Sequence, residues 1–160
     1  MDFLAWLEGS VLGHAMRESG LWTYGIVNLA HIMGVAALFG SILVLDLRLL
    51  GAWRKIPLAA LSRPAVHVAA AGFTVAALTG AGLLATQATE YVGNPFFYIK
   101  FPAIFLGLVN ALWIRRSAAW AAHGARALTE RENSRLAFMG GVSLLCWLTA
   151  ISAGRMIGYW

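Results

Sequence analysis

LWTYGIVNLAHIMGVAALFGSILVL, residues 21–45, runs for 25 positions without an Asp, Glu, Lys or Arg. At about 1.5 Å of rise per residue, a helix of that length reaches beyond the roughly 30 Å hydrocarbon core of a bilayer. Three further apolar stretches of spanning length follow, and none shows the strict polar–apolar alternation that a lipid-exposed β-strand requires. The chain is 60% hydrophobic and 12% charged, with a mean hydropathy of +0.72, which excludes an ordinary soluble domain. The expectation is an all-α membrane protein: a single integral domain over 1–160, built as a four-transmembrane-helix bundle. The spanning helices are expected over 21–50, 64–89, 95–116 and 135–160.

Residues 1–19 read differently. Phe3, Leu4, Leu7, Val11 and His14 recur at helical spacing with Trp6 beside them, while Asp2 and Glu8 argue against a signal peptide. An N-terminal interfacial amphipathic helix capping the bundle is expected there. The Ala118–Asn133 connection is the one water-loving segment and is expected to be a short helix or loop. Cys146 is alone in the chain and reads as a small core residue.

Basic residues orient the bundle. Arg48, Arg54, Lys55 and Arg63 lie between the first two spans, and Arg115, Arg116, Arg126, Arg131 and Arg135 between the last two. Positive loops stay in the cytoplasm, so a bacterial inner-membrane protein with both termini in the periplasm is expected. The net charge of +5 then reports topology and contact with anionic lipid in the bilayer. It carries no sign of nucleic-acid binding. No HExxH, CxxC or Gly-rich phosphate loop is present.

Ionisable groups at membrane depth point to function, because each costs several kcal/mol unless something compensates it. His31 lies about 13 Å below Trp22 along the first span. Asn28 and Gly34 bracket it on one stripe, and the glycine leaves room for a flat cofactor. Lys100, Ala103, Gly107 and Asn110 share one face of the third span. Gly72, Ala76 and Gly80 form a ridge on the second that reads as tight helix packing. Gly140, Gly141, Ser143, Ala150 and Gly154 add small residues on the fourth. Lys100 and Arg155 fall in the same outer half as His31, with Arg17, Glu18 and Glu90 as rim residues. His67 lies about 12 Å or more from the His31 level, too far to share one haem iron with it. His14 and His123 read as solvated, and Asp46 and Arg48 as a local ion pair.

These residues carry a resemblance. Leu29-Ala30-His31-Ile32-Met33-Gly34, followed by Phe39-Gly40-Ser41 and Asp46-Leu47-Arg48-Leu49-Leu50, resembles the first helix of the CopD/HemJ-like group of small bacterial membrane proteins. Tyr98-Ile99-Lys100-Phe101 resembles the lysine that opens a later helix in HemJ-type protoporphyrinogen oxidases. Over the whole chain the likeness is to an uncharacterised family of about this size, through Asp46–Gly51, Thr79-Gly80, Asn94-Pro95, Asn110-Ala111 and Gly154-Arg155. The HemJ-like resemblance implies a b-type haem with His31 as ligand to the iron and Asn28 steadying the ring or a water. Lys100 is then a second ligand or propionate partner, and Arg155 a propionate partner. A redox or electron-transfer role follows from it. Porphyrinogen oxidation does not, because the chain reads Leu112-Trp113-Ile114-Arg115 where those proteins often carry a Tyr-His pair.

Two other readings remain open. One is a non-enzymatic accessory subunit that packs against a membrane-protein partner or a second copy. The other is copper handling by analogy with CopD, which five Met and one Cys support poorly.

Overall fold

A computed structural model describes residues 2–160. Two short helices, α1 (Asp2–Glu8) and α2 (Val11–Glu18), precede α3 (Gly20–Leu49) and α4 (Leu58–Thr86). A 3-10 turn at Ala88–Tyr91 leads to α5 (Pro95–Arg116), the short α6 (Ala118–Ala122) and α7 (Glu130–Met156), which closes in a 3-10 turn at Ile157–Tyr159. Four of these helices are long and apolar enough to cross a membrane, and no strand occurs among the described residues. This is the expected all-α, four-span architecture.

The helix ends depart from expectation for local reasons. The segment expected as one interfacial helix over 1–19 is two helices, because the Ser10 hydroxyl accepts from Gly13 N and restarts the chain as an N-cap. Helix α4 begins at Leu58 rather than at 64. Pro57 stands just before it, and Pro64 is absorbed inside the helix at the cost of one hydrogen bond. Helix α7 begins at Glu130 rather than at 135, because Thr129 and Glu132 close a capping box there. Gly51, with φ +108, and Trp53, with φ +46, take the chain out of α3.

The chain divides into two compact units. The first holds the residues up to Leu38 together with Val68–Asn94. Here the small-residue ridge brings the α3 and α4 backbones into contact. A Cβ on Gly34 would lie 2.8 Å from Ala76 N, and one on Gly72 would lie 2.5 Å from Leu38 N. Only glycine permits that approach.

The same unit ties down its N-terminal helices. Arg17 donates to the Thr86 and Ala85 carbonyls at the end of α4, at 3.1 and 3.5 Å, and to Glu8 O at 2.9 Å. A guanidinium there satisfies carbonyls that the helix leaves unpaired and favours its negative end. The Glu8 carboxylate accepts from Thr89 N and Thr89 Oγ1, both at 2.7 Å. These two bonds hold the Glu8 carboxyl below the usual carboxylate range, with Arg17 adding a smaller pull.

A group whose value falls on folding stabilises above its unfolded value, and that stability is lost as pH falls through the folded one. The α1 contact with Thr89 is therefore expected to hold at neutral pH and loosen in acid. Amide exchange at Thr89 should accelerate as pH drops below the usual carboxylate range, after correction for intrinsic rates. In Glu8→Gln it should be fast throughout, and a pH-independent exchange in the native chain would contradict this role.

The second unit holds Phe39–His67 and Pro95–Trp160. Helices α5 and α7 are its main pair. Gly107 lies under the Trp147 indole, 3.1 Å from where a Cβ would sit, and Asn110 Nδ2 donates to Met139 O at 2.9 Å. Leu49, Ile114, Ala119, Leu136 and Met139 form its buried core.

Candidate functional site

His31 is the best-defined polar centre of the first unit. It is half-buried, and its Nδ1 lies 2.9 Å from Ala76 O and 3.1 Å from Thr79 Oγ1. A carbonyl oxygen can only accept, and the Thr79 hydroxyl donates its own proton to Val75 O at 2.6 Å. Both partners therefore demand a proton on Nδ1. The neutral ring is the Nδ1–H tautomer, and its basic lone pair is on Nε2. Gly80 makes the pose possible, since a Cβ there would come within 2.9 Å of Cε1, whereas Nε2 is 3.9 Å away.

The surroundings differ from expectation in two respects. Asn28 is exposed, and the ring is steadied by Ala76 and Thr79 across the helix pair instead. Gly34 offers no room for a flat cofactor, because the α4 backbone occupies that space. A small residue beside a polar one signals close approach in either case. The sequence does not say whether a ligand or a neighbouring helix makes it.

Lys100 and Arg155 belong to the second unit. The Lys100 stem lies along Gly154, with Nζ 3.5 Å from where a Cβ would sit. Arg155 is exposed; its guanidinium stacks 4.4 Å from the Tyr159 ring centroid and donates to the Tyr159 hydroxyl. Among the rim residues, Arg17 is committed to the end of α4, and Glu90 accepts from Gln87.

Three other readings are corrected or sharpened. Asp46 and Arg48 form no ion pair. Residues two apart on a helix point to different sides, so Asp46 is 2% exposed against the Ser143 hydroxyl while Arg48 Nε donates to Ile56 O at 2.8 Å. His123 is not simply solvated: its Nε2 lies 2.9 Å from Ser62 Oγ, and its Nδ1 donates to Trp120 O. His67 is exposed almost three turns into α4, with Nδ1 on Arg63 O.

No group of three or more metal-ligating His, Cys, Asp or Glu side chains occurs among the described residues.

The profile of a family of unknown function, DUF6644, matches residues 3–160. The chain belongs to this family. Neither a curated protein nor a solved structure matches it. The family assignment thus fixes kinship across almost the whole chain, and function has to be argued from the residues.

Proposed function

We propose that this multi-pass membrane protein binds a b-type haem through His31 Nε2 and serves in electron transfer. The observation that carries the proposal is the bond from His31 Nδ1–H to Ala76 O. Metal-ligating histidines characteristically donate their second ring nitrogen to a carbonyl or carboxylate, which fixes the tautomer and makes the ligating nitrogen more basic. The donor chemistry therefore fits one axial position. A bound haem would supply one-electron chemistry at a potential set by axial ligand, burial and nearby charge. The chain's own part is to orient the imidazole, through Ala76 and Thr79, and to keep it in an apolar setting. With Gly34 occupied by α4 and Asn28 turned outward, the reading rests on His31 alone.

The close Gly34–Gly72 approach favours a second reading, in which His31 is an interhelical clip in a non-enzymatic accessory subunit. A reduced-minus-oxidised spectrum of the purified protein separates the two. Haem binding requires b-type bands that disappear in His31→Ala and persist in His67→Ala and His123→Ala. A protein that purifies without such bands, even after expression with added haem precursor, is a clip.

A further inference from the structure

We propose that a cleft at the basic end of the second unit, independent of the haem reading, binds the phosphodiester headgroup of a membrane lipid. The cleft encloses about 450 Å³ between the end of α3, the loop after it and the first turns of α7. Arg48, Arg54, Asn133 and Ser134 supply its donors, and Leu49 and Leu50 an apolar wall.

Arg48 is held ready for an anion. It is half-buried, with Nε on Ile56 O at 2.8 Å and Nη2 near Arg54 O at 3.5 Å, so the loop carbonyls fix the plane of its guanidinium. Arg54 folds back over Gly51, where a Cβ would meet its Nη2 at 2.9 Å. The left-handed glycine thus places a second guanidinium on the same cleft. Arginine offers a planar fork suited to phosphate oxygens.

Arg126 lines a smaller neighbouring cavity of about 200 Å³ that shares Arg48, Leu49 and Asn133 with the cleft, but its guanidinium is already bound to both Glu132 oxygens at 2.7 and 2.8 Å. Glu130 is the one acid lining the larger cleft. Two guanidiniums against one carboxylate leave a net positive site, which suits one phosphodiester charge.

Depth favours a lipid over a soluble phosphate. Arg48 stands three residues beyond the charge-free run 21–45, where a spanning helix meets the headgroup layer. The leucine wall suits the glycerol and first methylenes of a lipid, and basic pockets between spanning helices take such headgroups.

The test is a thermal-unfolding titration of the full chain in neutral detergent with phosphatidylglycerol, and in parallel with sodium phosphate at matched concentrations. The native chain should be stabilised by the lipid and unmoved by phosphate. Arg54→Gln should need about tenfold more lipid for the same shift, the loss expected for one charge-assisted contact. Arg48→Gln should do the same. Arg54 meets Arg48 only through its carbonyl, so Arg54→Gln reads the site even where Arg48→Gln fails to fold. Arg116→Gln, a basic change that lines neither cavity, should titrate like the native chain. Native-like titration by Arg54→Gln, an equal loss in Arg116→Gln, or a shift with phosphate alone would each overturn the proposal.

Discussion

Gly72→Leu is expected to unfold the first unit or leave it too weak to purify. A Cβ at this position would lie 2.5 Å from Leu38 N and 2.7 Å from Gly34 O, and both of those atoms are backbone. A flexible side chain could swing away, whereas helix backbone can yield only if α3 and α4 separate. Overpacking a close-packed site typically costs about 1–3 kcal/mol, and rigid neighbours on both sides place this case at or above the upper end. Separation also removes the Ala76 carbonyl from His31. Gly25→Leu is the matched control, since nothing lies within 4 Å of a Cβ there. Thermal unfolding should show a large loss for Gly72→Leu and little for Gly25→Leu; equal behaviour would contradict the backbone contact.

The second large effect belongs to the other unit. Leu136, at 1% exposure, anchors the core where α7 meets Leu49 and Ile114. Leu136→Ala is expected to cost about 2–5 kcal/mol, the usual range for a buried leucine that leaves a cavity. Leu145, on the same helix, is 67% exposed, and Leu145→Ala should change stability by only a few tenths of a kcal/mol. Similar losses for the two would show that the α7 face has been assigned wrongly.

Much of this architecture was legible in the sequence because the bilayer reduces the problem to length and charge. The uncharged run 21–45 could only be a spanning helix, and the Gly72–Ala76–Gly80 spacing announced a packing ridge that Gly34 and Leu38 meet. Thr129-x-x-Glu132 is a capping box legible in the sequence, and it starts α7 at Glu130. Pro64 misled because proline favours a first turn, while Pro57 already stood at that place.

The site was less legible, since side-chain direction depends on the partner helix. Asn28 and His31 share a stripe in sequence, yet only the imidazole turns toward α4. Asp46 and Arg48 are close in number and part company because residues two apart on a helix do not face each other. The Ser62–His123 contact spans 61 positions and has no local signal at all.

The central claim is that His31 presents Nε2 to a haem iron, and chemical rescue tests ligation apart from folding. His31→Gly should purify without b-type bands in its reduced-minus-oxidised spectrum. Imidazole added with haem should restore them, because a free imidazole can occupy the vacated space between α3 and α4. Bands that persist in His31→Gly without imidazole would contradict the claim, and so would a native protein that never shows them.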